Sequence, residues 1–282
     1  MMLVTGATGE IGRAVVAELL ARGVPVRATS RNPERARLPD DVEVVKADLG
    51  DAEAVAGAVA GVDGVFLLTG GSEIPLHDKT VAQAAAEAGV RRIVKLSSGR
   101  VGDDTATDPI PSWHREGERA VRESGVPSTM VRPMGFMSNA LMWAAPIREQ
   151  GAVFAPYADG RVSVIDPLDI AAVAATVLTA PGDVEEVLTL SGPEALSPGE
   201  QVAILGEAIG RPLRFVEVEP AAARQAIIGH GVPAEMADAI MALRATALEE
   251  FTSVVHPTVQ RVTGRPAGTF RAWAERNRAA FL

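Results

Sequence analysis

The sequence has no cysteine, a single tyrosine, and lysine only at positions 46, 79 and 95. Without cysteine there is no disulfide, no thiolate metal ligand and no cysteine nucleophile, and a reducing compartment suits such a chain. Long apolar runs are missing too. Asp, Gly or Pro interrupts each Ala/Val-rich stretch before it reaches the roughly 20 residues that span a bilayer. A glycine-rich turn follows Met1 so closely that no signal peptide is expected, which points to a cytoplasmic, soluble protein without a membrane partner. No basic run is present and the net charge is −9, so broad attraction to nucleic acid is not expected. His77, His114, His230 and His256 are scattered without metal-ligand spacing, and no metal is expected.

What the sequence does have is concentrated at its start. Leu3 and Val4 lead into Thr5-Gly6-Ala7-Thr8-Gly9-Glu10-Ile11-Gly12, with glycines spaced G-x-x-G-x-x-G. A helical pattern follows, carried by Ile11, Val15, Val16, Leu19 and Leu20. Strand, tight turn and helix in that order cradle a dinucleotide. Gly6 permits the sharp turn, Gly9 lets backbone approach a pyrophosphate, and Gly12 lets the helix close on the sheet. The helix N-terminus offers unpaired N–H groups to the phosphates.

From Met2 to about Pro133 strands and helices alternate. Strands are expected at 24–29, 42–45, 64–68, 92–96 and 129–131, and helices at 52–60, 79–88 and 114–124. Right-handed crossovers between them give an α/β, Rossmann-type, doubly wound parallel sheet. Residues 1–133 form the dinucleotide-binding domain. Residues 134–282 form a smaller, mostly helical substrate-binding lobe packed on it, with chain crossings between the two. In that lobe a hairpin is expected from 153–156 and 162–165 around Asp159-Gly160. A helix starts near Asp166, another covers Pro198–Ile209, and two helices within 221–251 could form a lid.

The end of the second strand bears on the cofactor. NAD-preferring folds place an acid there, roughly 20 residues after the glycine turn, to accept from the ribose 2′-OH. Here the strand ends Thr29-Ser30-Arg31-Asn32, with no acid before Glu34. The Arg31 guanidinium fork suits a 2′-phosphate, Ser30 adds a hydroxyl donor, and NADPH is the expected cofactor. A solvated loop arginine is the alternative.

The T-G-A-T-G-x-x-G wording resembles atypical short-chain dehydrogenases/reductases, especially the NmrA-like group with its quinone and triphenylmethane reductases and polyketide ketoreductases. The resemblance recurs along nearly the whole chain. It implies that Asp48 and Leu49 lie beside the adenine, and that Leu68, Thr69 and Gly70 back the ribose. Asp48 could equally brace a loop. Ser97-Ser98-Gly99 stands where the superfamily keeps a catalytic serine, although turn chemistry also explains it. Val131-Arg132-Pro133-Met134-Gly135-Phe136-Met137-Ser138-Asn139 is similar to the family's L-R-P-x-x-F-M-x-N. Pro133 and Met134 would then face the nicotinamide. Phe136, Met137, Asn139 and Trp143 would line the substrate side, with core packing the alternative.

The superfamily's usual tyrosine acid, with a lysine four residues on, is absent. The one tyrosine, Tyr157, is followed four residues later by Arg161 and lies beyond the sixth strand. In the corresponding helix, His114 begins an H-x-x-x-E pattern with Glu118 and falls near the lysine position of isoflavone-type reductases. An imidazole there could donate a proton near neutral pH, unless it is a bystander on a charged helix. The reading that follows is an NADPH-dependent reductase, monomer or homodimer, acting on an apolar or aromatic carbonyl, quinone or polyketide ketone. The alternative is a non-catalytic NAD(P)-binding redox sensor. A sugar-nucleotide epimerase loses ground without the Tyr/Lys pair.

Overall fold

A computed structural model describes residues 1–182 and 184–282. They fall into two compact units. The first comprises Met1–Pro133, Pro167–Thr189 and Arg261–Gly264; the second comprises Met134–Asp166, Leu190–Gln260 and Arg265–Leu282. The first change of unit comes after Pro133, with crossings inside 134–282. The chain returns to the first unit twice.

In chain order the elements are β1 (Met2–Val4), α1 (Glu10–Ala21), β2 (Val26–Ser30), β3 (Val42–Lys46), α2 (Ala52–Val59), β4 (Gly64–Leu67) and α3 (Ile74–Glu87). Next come β5 (Arg92–Leu96), α4 (Pro109–Glu123), β6 (Ser128–Pro133), α5 (Ala144–Gln150), β7 (Ala152–Ala155), α6 (Pro167–Thr179) and β8 (Val187–Leu190). The remainder is α7 (Pro198–Ile209), β9 (Arg214–Glu217), α8 (Pro220–Gly229), α9 (Ala234–Ala245), α10 (Thr258–Thr263) and α11 (Phe270–Asn277).

The first unit is built on a seven-stranded sheet in the order β3-β2-β1-β4-β5-β6-β8. The ladders from β3 through β6 are all parallel. Strand order reverses between β1 and β4, the switch point at which doubly wound sheets bind ligands. β4 is buried at every position, as a strand covered on both faces must be. On one face α1 packs along α6, whose apolar residues occur on all sides and are almost all buried. On the other, α3 packs between α2 and α4 over a core containing Leu3, Val65, Ile93, Val81, Val121 and Met130.

In the second unit Phe270 stacks on Trp273, which Phe281 meets edge-on, in a core shared with Ile147, Val153 and Leu205. The expected hairpin at 153–165 does not form. β7 instead pairs in parallel with β9, and the 162–165 segment contributes only isolated bridges, Phe136 with Ile165 and Val162 with Leu196. α7 opens with a full capping box between Ser197 and Glu200 and stops at Gly210 in the left-handed conformation, as its sequence announces. Among the described residues no helix is long and apolar enough to cross a membrane.

Candidate functional site

The glycine turn is fixed from both sides. The Thr5 hydroxyl donates to the Leu68 carbonyl at 2.8 Å and accepts from the Leu68 amide at 2.7 Å, tying the end of β1 to the end of β4. Gly6 takes φ +61°, and a Cβ at Gly12 would lie 2.2 Å from the Gly6 carbonyl oxygen. Neither position tolerates a side chain, and that is what allows α1 to begin so close to the strand. No side chain caps α1, so its first-turn N–H groups stay available to a ligand.

Over this turn lies a cleft of about 720 Å³. Of the residues read from the sequence as cofactor-binding, Gly6, Thr8, Ser30, Arg31, Asp48, Leu49, Leu68, Thr69 and Gly70 line it. Thr5, Gly9, Glu10, Ile11 and Gly12 shape the turn and helix start beside it. Ile11 and Thr5 are buried, so they support the site from beneath. Pro133 and Met134 are also buried and do not line the cleft. The sequence reading missed Thr29, Asn32, Ala47, Gly50, Glu73, Leu76 and His77 in the lining. The first four sit beside residues that were found. Glu73, Leu76 and His77 bracket the start of α3, which was read as beginning later.

Ser30 and Arg31 differ in how they are engaged. The Ser30 hydroxyl accepts from the Asn32 amide at 3.1 Å. The exposed Arg31 side chain has no ion pair or hydrogen bond among the described residues. Asp48 lines the cleft and also braces its loop, its Oδ1 accepting from the Gly50 amide at 3.0 Å. Arg13 on α1, which sequence reading passed over, ties two loops together. Its guanidinium donates to the Thr8 carbonyl at 3.0 Å, to Arg37 at 2.6 Å and to Ala36 at 2.8 Å. The loop after β2 is thereby fastened to the glycine turn.

These residues fit a dinucleotide. The cleft is large enough, α1 starts beside it without a side-chain cap, and the Arg31 guanidinium, unpaired among the described residues, borders it.

Behind the cleft, a buried polar network links β5, α3 and α4. Thr69 donates its hydroxyl proton to Asp78 Oδ1 at 2.7 Å, and Lys95 Nζ lies 2.5 Å from Asp78 Oδ2. Both charged side chains are fully buried. Gly117 has no alternative, since a Cβ there would meet Asp78 Oδ2 at 2.0 Å. Two residues after Lys95, just past the end of β5, Ser97 donates its hydroxyl to Glu118 Oε1 at 2.6 Å. Arg132 grips the same carboxylate with Nε at 2.8 Å and Nη2 at 2.6 Å. Burial pushes the Glu118 carboxyl up, but the hydrogen bonds from Arg132 and Ser97 and the nearby arginine charges hold it below its ordinary value.

His114 stands one helical turn before Glu118, beside Lys95. Its Nδ1 is buried with no hydrogen-bond partner. Burial and the Lys95 charge outweigh the pull of Glu118 and lower its pKa from 6.5 to about 3. The imidazole is therefore neutral near pH 7, and what it can offer there is a ring N–H rather than the proton of an imidazolium. Ser97 joins the network through Glu118, whereas His114 feels Lys95 and Glu118 only through their charges. Ser98 does not join it; its hydroxyl accepts from the Arg100 amide at 3.3 Å and caps the turn Gly99–Gly102.

The expected substrate residues lie in the second unit, from Phe136 through the 3-10 segment Met137–Trp143. Phe136 and Trp143 are half-buried and Asn139 is exposed. Met137 has no exposed surface and belongs to that unit's core, so it packs rather than lines a surface. Among the described residues no group of three or more His, Asp or Glu is arranged to hold a metal ion.

A family model described as NmrA-like family matches residues 1–263. The chain is 46% identical over 282 residues to a (4-alkanoyl-5-oxo-2,5-dihydrofuran-3-yl)methyl phosphate reductase from Streptomyces griseus, covering 100% of this chain and 99% of that one. It is 39% identical over 289 residues to an NAD(P)H azoreductase from Xenophilus azovorans, covering 100% and 99%. Among solved structures it resembles an NADPH-dependent quinone oxidoreductase from Escherichia coli complexed with NADPH. The TM-score is 0.87 at 26% identity, over 98% of this chain and 99% of that one.

Proposed function

The chain belongs to the NmrA-like family, and from that premise we propose that it is a cytoplasmic NADPH-dependent reductase passing hydride to a quinone, a carbonyl or another conjugated apolar acceptor, aromatic polyketide ketones included. The observation that carries the reading is the end of β2. There Ser30 and the unpaired Arg31 border the cleft, and no carboxylate occupies the strand end to select a free ribose 2′-OH. The names of the relatives support the reaction class. They differ widely in acceptor, as expected where the cofactor does the hard chemistry and the protein supplies binding and orientation.

When bound, the reduced nicotinamide supplies the hydride, and a proton completes the two-electron reduction of the acceptor. The chain's own side chains are poorly placed to give that proton. His114 is neutral, Ser97 is engaged by Glu118, and Lys95 is locked on Asp78. Water supplies it, to an acceptor that takes hydride without a strong acid beside it. The network of Lys95, Asp78 and Thr69 holds the cleft wall in one position, because Thr69 belongs to both.

The test is consumption of NADPH and of NADH by the purified protein, followed by absorbance, with a panel of quinones and hydroxylated aromatic ketones. Turnover with any of them, at lower KM for NADPH than for NADH, is expected. Tight NADPH binding with no consumption across the panel would overturn the reductase reading in favour of a redox sensor.

A further inference from the structure

Arginines of the second unit mostly find partners. Arg224 meets Asp238, Arg161 meets Glu200, and Arg276 meets Asp166. Arg244 is different. It occupies the last turn of α9, is half-buried, and has no carboxylate partner among the described residues. Among the described residues its side chain hydrogen-bonds from Nη2 to the Met142 sulfur at 3.4 Å, and a thioether is a weak acceptor. Burial lowers its pKa, and the Tyr157 phenol alone opposes that shift. A half-buried cation whose side chain bonds a thioether and no carboxylate is incompletely compensated.

Tyr157 is held in place at some cost. It takes φ +61°, the left-handed region that L side chains rarely adopt. The turn keeps it there. The Gly160 amide donates to the Tyr157 carbonyl at 2.9 Å, and the Ala158 amide donates to Glu217 at 3.0 Å. Tyr157 also packs against the α8–α9 core containing Ile227 and Met241. Met142 lies in the segment Met137–Trp143, exposed together with its neighbour Leu141. A guanidinium, a phenol and an apolar rim therefore come together from three separate parts of the second unit.

We propose that Arg244 and Tyr157, rimmed by Met142 and Leu141, form a subsite for an oxyanion substituent, a phosphate or carboxylate carried by an otherwise apolar acceptor. The proposal rests on the reductase reading and on 136–143 as the substrate side. A guanidinium presents parallel N–H donors to two oxygens of such a group, and the phenol O–H can donate to another. The apolar rim suits the carbon skeleton that bears it. No covalent step is involved: the subsite selects and orients the acceptor.

Two measurements test this independently. In the first, phenyl phosphate and benzoate are titrated into the protein by calorimetry, with wild type, Arg244→Met, Arg244→Lys and Tyr157→Phe compared. Binding of at least one anion is expected, weakened about tenfold or more in Arg244→Met and partly restored in Arg244→Lys. Stronger phenyl phosphate binding names a phosphate, and stronger benzoate binding names a carboxylate. In the second, NADPH consumption is followed with 1,2-naphthoquinone and its 4-sulfonate. The kcat/KM ratio favouring the sulfonate should fall about tenfold in Arg244→Met. Equal anion binding by wild type and Arg244→Met, or an unchanged acceptor ratio, overturns the subsite. If neither quinone is reduced the reductase reading fails, and the calorimetry still decides the subsite. Circular dichroism and thermal melting of each variant separate loss of binding from loss of fold.

Discussion

Lys95 and Asp78 meet at 2.5 Å between β5 and α3, and neither side chain has any exposure to solvent. A buried pair of this kind is tolerated because each partner offsets the other's desolvation, with Thr69 bonding Asp78 and the Leu96 carbonyl bonding Lys95 in addition. Removing one partner strands the other. Lys95→Met should destabilise the protein by about 3–5 kcal/mol. The double variant Lys95→Met/Asp78→Asn should recover much of that loss, since the shape beside Gly117 is kept and no charge is left unpaired. Urea denaturation of the two variants checks this. A double variant no more stable than the single one would show that the pair is not acting as a unit.

Gly12 has an equally local role. Its replacement by Ala places a methyl 2.2 Å from the Gly6 carbonyl oxygen, and backbone is what must give way. The expected cost is about 1–3 kcal/mol of stability, with weaker NADPH binding because the turn and the start of α1 move apart. Thermal melting with and without NADPH reads both effects.

Arg31→Ala should weaken NADPH binding by about 1.5–3 kcal/mol, the scale of a hydrogen bond to a charged group, and leave NADH binding nearly as it was. Fluorescence titration with the two cofactors measures the difference. Equal losses would place the 2′-phosphate elsewhere.

His114 makes a prediction about acid. Its pKa of about 3 in the folded chain lies below the ordinary 6.5 of an unfolded one. Between those values the unfolded state binds a proton that the folded state refuses, so this contribution to stability is present above about 6.5 and is lost as pH falls toward 3. His114→Gln removes it. Wild type should therefore lose more unfolding free energy between pH 7 and pH 5 than His114→Gln does, as measured by urea denaturation at each pH. In catalysis, the wild-type pH profile should show no His114 ionisation near neutrality.

Much of this could be read from residues alone, where the signal is local. The glycine turn, the strand at Arg92–Leu96, the Asp51 cap of α2 and the capped span Pro198–Ile209 are each specified within a few neighbouring positions. α3 begins at Ile74 rather than Lys79 because Pro75 suits a helix's first turn, where its missing N–H costs nothing, whereas Glu73-Ile74-Pro75 resembles a loop when read linearly. The β7–β9 pairing joins residues about sixty positions apart, and no turn signal announces it. A hairpin through Asp159-Gly160 looked simpler for that reason. Lys95 lies inside an apolar strand, where a lysine reads as an edge residue. Its partner Asp78 sits on a helix and could be paired with it only once α3 lay across β5.

The return of the chain to its first unit governs when that unit can fold during synthesis. β8 supplies the edge beside β6, and α6 covers α1, yet both are made only after the second unit has begun. A ribosome that has released residues up to Pro133 has delivered the dinucleotide turn and six of the strands, but the β6 edge is still bare and α1 is without its cover. Such a nascent chain offers an open strand and an apolar helix face to its surroundings. The sheet is complete only once β8 is made, and the unit only once Arg261–Gly264 follow, so the bare edge and helix face persist while much of the second unit is being synthesised.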